Sequence, residues 1–319
     1  MKKSLLAILL GLGLSLNVYA NNVEQEFEKA YNYYKQENYD KAFEIFKKLA
    51  EQGNAIAKNE LGVMYENGYG VSQNYQQAFY WYKEAAEQGN ADAQNNLGLL
   101  YDDGNGVTQD YHQAVYWYKK AAEQGNVAAQ TSLGFMYEQG NGVPKDYQQA
   151  VYWYKKAAEQ GNEIAQTNLG FMYDEGNGVR QDYHQAVYWY KKAAEEGYDL
   201  AQEMLGMMYY NGKGVSQDYH QAVYWYEKAA EQGNSSAQVF LGFHYYLGKG
   251  VRQNYSQAME WFKKAAQQDN PMAFYAIATL YYGGYGVKKN LVMAKEYFGK
   301  ACDAGDQEGC DKYRELNRR

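Results

Sequence analysis

Several things are scarce in this 319-residue sequence, and each scarcity excludes something. Positive charge is not in excess: the net charge is −7, and phosphate recognition needs clustered Lys and Arg. A nucleic-acid partner is therefore not expected. Proline occurs twice against 32 glycines, and those glycines are phased rather than scattered, so the chain is not of low complexity. After the first twenty residues no apolar run is long enough to span a bilayer. Of the four histidines, His112, His184 and His220 share one phase of a repeat and stand too far apart to hold a metal together. No Ser-x-x-Lys, Gly-x-Ser-x-Gly or His-Glu-x-x-His occurs, so serine-enzyme and zinc-hydrolase chemistry have no motif here. No catalytic residue, cofactor or metal is expected.

What is present is one stretch, repeated. Residues 91–126, ADAQNNLGLLYDDGNGVTQDYHQAVYWYKKAAEQGN, recur at a step of 36 without insertion or deletion. The closing Gly125-Asn126 also stands at Gly53-Asn54, Gly89-Asn90, Gly161-Asn162 and Gly233-Asn234. A fixed period of this length means stacked copies of one supersecondary unit. Seven full units run 55–90, 91–126, 127–162, 163–198, 199–234, 235–270 and 271–306.

Three segments lie outside them. Residues 1–20 carry Lys2-Lys3, a short apolar core from Ser4 to Leu16, and small residues in Val18-Tyr19-Ala20. That is the pattern of a secretory signal peptide cleaved after Ala20. The mature chain is then expected in a periplasm or outside the cell, with no membrane span. Residues 21–54 read as a helix pair without the glycine insert, an N-terminal cap. Residues 307–319 read as a C-terminal cap.

Each unit reads as helix, loop, helix. Helix A, about Ala91 to Asp102, turns Ala93, Leu97, Leu100 and Tyr101 inward at helical spacing. Alanine recurs in every unit at the phase of Ala93, and glycine recurs at Gly62, Gly98, Gly134, Gly170, Gly206 and Gly242. A glycine in mid-helix costs propensity, so its recurrence points to close contact. Gly104-x-Gly106-Val107 is the chain reversal, since glycine accepts positive φ. Helix B, about Tyr111 to Gln124, carries an aromatic pair in every unit, Trp117-Tyr118 here, at core spacing.

LGLLYDDGNGV followed by AVYWYKKAAEQGN resembles the Sel1-like repeat, a relative of the tetratricopeptide repeat, over residues 55–306. The resemblance implies an all-α, right-handed solenoid with helix A on the concave face, and a non-catalytic scaffold for proteins or peptides. A second, partial resemblance lies in CDAGDQEGC, whose Cys-x7-Cys spacing is like that of secreted, cysteine-rich Helicobacter repeat proteins. Cys302 and Cys310 occupy the phases of Ala86 and Gln94, which face each other across a unit boundary, so a disulfide is expected to staple the end of the array. Those relatives also bring a second function class, β-lactamase-like or cell-wall hydrolysis. A secreted effector acting on host proteins is a third. The oligomeric state is not legible.

The binding surface is expected on helix A. Its candidates are an apolar row that includes Phe135 and Phe171, and acids at the helix end, Asp102, Asp103, Glu138, Asp174 and Glu175, which give way to Tyr210 and Tyr246. Acid at a helix C-terminus opposes the macrodipole, and nothing local recommends it, which points to a ligand. The alternative is that the row packs on the adjacent unit and the acids are simply solvated. On helix B, Tyr80, Tyr116, Tyr152, Tyr188 and Tyr224 form a strip, read either as a contact surface or, preferably, as leaning on the neighbouring unit. His244 stands where other units have Met and is read as a half-buried core residue.

Overall fold

The computed structural model describes residues 23–318, so the signal-peptide reading lies outside the described residues. Those residues form seventeen α-helices and no strand. The first, α1, covers 23–35, and α2 is Tyr39–Glu51. The A helices of the seven units are α3 (Ala55–Asn67), α5 (Ala91–Asp103), α7 (Val127–Gln139), α9 (Glu163–Glu175), α11 (Asp199–Asn211), α13 (Ser235–Leu247) and α15 (Pro271–Gly283). The B helices are α4 (Tyr75–Ala86), α6 (Tyr111–Glu123), α8 (Tyr147–Glu159), α10 (Tyr183–Glu195), α12 (Tyr219–Glu231), α14 (Tyr255–Ala266) and α16 (Leu291–Asp303). The last helix, α17, is Gln307–Asn317. Consecutive helices pack against each other, the arrangement of an α-solenoid. The chain divides into two compact units, the first ending at Trp153 and the second beginning at Tyr154, inside α8.

The boundaries have local causes. Asn90 caps α5, its side chain accepting from the Ala93 N–H at 2.7 Å, and Asn54, Asn126, Asn162, Asn234 and Asn270 cap the other A helices in the same way. The repeated Gly-Asn is thus a stop followed by a start. Tyr198, the departure from that pattern, makes no side-chain cap. At the other end of α5, Gly104 ends the helix in the left-handed region at φ 74°. Gly106 is needed for a different reason: a Cβ there would stand 2.4 Å from the Tyr75 backbone carbonyl of the preceding unit. Asp110 then caps α6 from below, accepting from His112 and Gln113 N–H.

The core is assembled repeat by repeat. Ala93, Leu97 and Leu100 of α5 are buried as expected, with Tyr101 half-buried. Tyr118 of α6 is fully buried, and its ring lies on the backbone of Gly98, where a Cβ would come within 2.7 Å of it. Gly62, Gly170, Gly206 and Gly242 meet Tyr82, Tyr190, Tyr226 and Phe262 in the same manner. The mid-helix glycines are therefore seats for helix-B rings. Each such buried side chain contributes about 1.5–3 kcal/mol of apolar burial, which outweighs the ~1 kcal/mol propensity cost of the glycine.

Neighbouring repeats are also joined by polar groups that the periodicity did not reveal. Buried Gln94 donates Nε2 to the Ala86 carbonyl at 3.1 Å, and its Oε1 accepts from Gln124 Nε2 at 2.7 Å. Gln202 repeats both bonds with Ala194 and Gln232, and Gln238 with Ala230 and Gln268. Gln166 keeps only the first, to Ala158, because position 196 is Glu and cannot donate; its Oε1 is left buried without a partner. At the array's end the same junction is covalent, since Cys302 and Cys310 form a disulfide with Cα atoms 4.4 Å apart. Closing so short a loop, of sequence separation 8, contributes about 2–3 kcal/mol.

Candidate binding surface

The C-terminal turns of the A helices hold the predicted acids, and the structure corrects the reason for them. Glu66 of α3 accepts a hydrogen bond from the Tyr82 hydroxyl at 2.5 Å, and Asp102 of α5 accepts from Tyr118 at 3.2 Å. A fully buried phenol needs a partner for its O–H, so something local does recommend an acid there. Burial pushes the Asp102 carboxyl up, partly offset by the Tyr118 hydrogen bond. The phenols of Tyr82 and Tyr118 are pushed up first by burial and then by the neighbouring carboxylate. The raised phenols stay protonated and keep their O–H to donate. Glu138, in the next A helix, is half-buried.

In the second unit the pattern loosens. Asp174 of α9 lies near the Tyr190 phenol, yet the Tyr190 hydroxyl is buried without a hydrogen-bond partner. Lys213 reaches Asp174 at 3.9 Å. Burial raises the Asp174 carboxyl, and the Lys213 ammonium partly counters this. In α11 and α13 the acid gives way to Tyr210 and Tyr246, both half-buried. Tyr246 packs edge-on against Tyr285 and tilted against Tyr255, at 5.6 and 5.5 Å between centroids. Asp103 and Glu175, one position further on, are exposed.

The apolar row does not behave uniformly. Phe135 and Phe171 are 47% and 42% exposed, and Leu99 is exposed beside them in sequence phase. Phe243, at the same phase, is half-buried edge-on against Phe262 at 5.1 Å. The row is thus exposed at Leu99, Phe135 and Phe171 and half-buried at Val63, Met207 and Phe243.

The helix-B tyrosines Tyr80, Tyr116, Tyr152, Tyr188 and Tyr224 are about half exposed. Each stacks edge-on upon the tryptophan that follows it, as Tyr116 does upon Trp117 at 4.9 Å. The tryptophan makes the contact with the preceding repeat: Trp117 packs into the cluster of Tyr82, Ala86 and Leu97. Lys120 places its ammonium 4.7 Å from the Tyr116 ring centroid.

His244 is buried rather than half-buried, with 3% of its surface exposed. It sits beside a cavity of about 320 Å³ lined by Met207, Tyr210, Tyr226, Phe240, Phe243 and Lys249, among others. Nothing in the periodicity announced this cavity. The available signal was the replacement of the repeat's buried methionine by an ionisable residue.

Comparison with known proteins agrees with this architecture. The Sel1 repeat model matches residues 7–36, 35–54, 55–90, 91–126, 127–162, 164–198, 199–234, 235–270 and 271–306. No curated protein matches the sequence. Among solved structures, c5321 of uropathogenic Escherichia coli, described as a protective antigen with an SLR fold, is 38% identical. That match covers 96% of this chain and 70% of the other, with a TM-score of 0.83. A Sel1 repeat protein of Oxalobacter formigenes is 37% identical over 75% of this chain and 96% of its own, with a TM-score of 0.70. Helicobacter pylori cysteine rich protein B is 30% identical over 40% of this chain and 92% of its own, with a TM-score of 0.34.

Proposed function

We propose that this chain, which belongs to the Sel1 repeat family, is an exported scaffold that holds a protein or peptide on the surface of its A helices. Proteins built from these repeats are protein-interaction scaffolds, and the fold is generally non-catalytic. The observation that carries the reading is the exposure of large side chains in phase: Leu99 and Phe135 in the first unit, Phe171 in the second. A monomer leaves single apolar residues exposed at little cost, but aromatic side chains exposed in register are what contact surfaces are enriched in. Export is supported by the signal-peptide pattern of residues 1–20, by the disulfide, and by the description of the E. coli relative as an antigen. None of the described helices is long and apolar enough to cross a membrane.

Two measurements test this. The intact mass of the protein recovered from the envelope fraction should lack residues 1–20; a full-length mass there would refute cleavage after Ala20. Mature chain is then used as bait in envelope extract, beside a Phe135→Ala/Phe171→Ala variant. A partner held by the native chain and lost by the variant supports the helix-A surface. Equal capture moves the contact to the helix-B tyrosine strip. A partner recovered only from host extract selects the effector reading. The hydrolase reading has no geometric support, and turnover of a chromogenic β-lactam by the pure protein would be needed to revive it.

A further inference from the structure

The A helices of the first compact unit, α3, α5 and α7, turn one continuous face outward. In α5 it carries Asp92, Asn96, Leu99 and Asp103, at i, i+4, i+7 and i+11. The same phases give Ile56 and Glu60 in α3 and Phe135 in α7. Hydrogen bonds join the three helices along this face. Asn96 of α5 donates Nδ2 to Asn59 Oδ1 of α3 at 3.1 Å, and Asn126, the cap of α7, donates Nδ2 to Asp92 Oδ1 at 2.8 Å. Ile56, Leu99 and Phe135 are 51%, 39% and 47% exposed. Scattered single exposures need no explanation, but three large apolar side chains along one face do.

The charge on this face has one sign. Asp92 and Asp103 are exposed, and Glu60 is half-buried. Lys58 is the one cation in the three helices, and it turns away, buried and paired with Glu84 of α4 at 2.9 Å. Among the described residues no ion pair answers Glu60, Asp92 or Asp103. The B helices differ, because their own lysines meet their acids: Lys83 lies 3.9 Å from Glu87, and Lys191 3.7 Å from Glu195. Burial raises the Glu60 carboxyl, the Asn59 amide partly offsets this, and repulsion from Asp92 adds to it. A cation brought to this face relieves that repulsion and supplies the missing counter-charge. A single metal ion does not suit it, because among the described residues no three metal-ligating side chains converge. The cations must be spread, and they must come with apolar groups.

We propose that this face docks a basic peptide segment in which lysine or arginine side chains flank apolar ones. The apolar side chains cover Ile56, Leu99 and Phe135, and the cations stand against Glu60, Asp92 and Asp103. An acidic or neutral segment covers the same apolar residues but leaves the three carboxylates unanswered. This rests on the scaffold reading above and names the chemistry of the segment held.

The probes are a blocked peptide, Gly-Lys-Leu-Lys-Phe-Lys-Gly, and its counterpart with glutamate for lysine. Both are titrated into the mature protein by calorimetry at millimolar concentration. Native protein should bind the lysine peptide and not the glutamate one, and raising the salt from about 0.02 M to about 0.2 M should weaken binding. Two variants with the same change in charge are then compared. Glu60→Gln/Asp92→Asn/Asp103→Asn alters this face, and Glu51→Gln/Glu87→Gln/Glu123→Gln alters exposed ends of the helix-B row. The first should bind the lysine peptide about tenfold more weakly, and the second should stay within about twofold of native. Equal binding of the two peptides, equal losses in the two variants, or no binding of the lysine peptide would each overturn the inference. The first and last of these use native protein, so they hold whether or not a variant folds. An envelope partner lost by Phe135→Ala/Phe171→Ala but kept by the Glu60 triple variant refutes the charge assignment and leaves the scaffold reading standing. No peptide bound and no partner captured refutes both.

Discussion

In the first compact unit Asp102 of α5 accepts the Tyr118 hydroxyl at 3.2 Å. In the second unit α11 offers Tyr210 at the same phase, and an open cavity stands beside Tyr226. The two junctions share a backbone plan, a buried tyrosine seated on a mid-helix glycine, Gly98 in one and Gly206 in the other. They differ by a few side chains. An acid near the tyrosine completes a polar pair. A tyrosine in its place, with His244 in the next A helix, leaves room and an unmet acceptor. Repeats that look interchangeable in the core are thus differentiated at their A-helix ends.

The largest expected effect separates the junctions by packing. Tyr118→Ala removes a fully buried ring and should cost about 3–5 kcal/mol. Tyr226→Ala should cost less, because that ring already borders open space. Denaturant unfolding of both variants checks this, and equal losses would break the comparison. A smaller effect isolates the hydroxyl. Tyr118→Phe leaves the half-buried Asp102 carboxylate without its donor and should cost about 1–2 kcal/mol. Tyr190→Phe deletes a buried hydroxyl that has no hydrogen-bond partner, and should be within about 0.5 kcal/mol of neutral or stabilising. A Tyr190→Phe loss as large as that of Tyr118→Phe would show that the second unit's acid is paired after all.

The smallest effect is in pH. The folded-state pKa of His244 lies below its unfolded value, so the unfolded chain takes up the proton first. Its contribution to stability is present above the unfolded pKa of ~6.5 and declines as pH falls through that value towards the folded one. Lys249 and the phenols of Tyr210, Tyr219 and Tyr226 are the titratable groups that face the ring. His244→Met should therefore gain on the native chain between pH 7.5 and 5 in paired thermal melts. A constant difference across that range would mean the imidazole is not held neutral by burial.

Much of this was written in the chain because the repeats serve as their own alignment. Alanine at the phase of Ala93, glycine at the phase of Gly98 and the aromatic pair of helix B pointed to core positions, and these lie buried, except that Trp81, Trp261 and Tyr297 are half-buried. The acid-to-phenol pairing was legible in the same way. Acids at 66, 102, 138 and 174 accompany Tyr82, Tyr118, Tyr154 and Tyr190, and Tyr246 and Tyr282 accompany Phe262 and Phe298, with Tyr210 beside Tyr226 the exception. It was missed because the acids were weighed against the helix dipole alone, without asking where the buried hydroxyls go.

The sequence by itself determined the period, the helices and their turns, because these depend on contacts within one repeat or its immediate neighbour. Caps, left-handed glycines and apolar phase are local and recur in every copy. Only the tertiary structure decided which apolar side chains stay exposed, that Trp117 packs into the preceding repeat, and that a cavity opens beside His244. Those outcomes turn on how side chains from different helices share one volume. Phe135 and Phe243 hold the same phase and end in different surroundings, and periodicity cannot distinguish them.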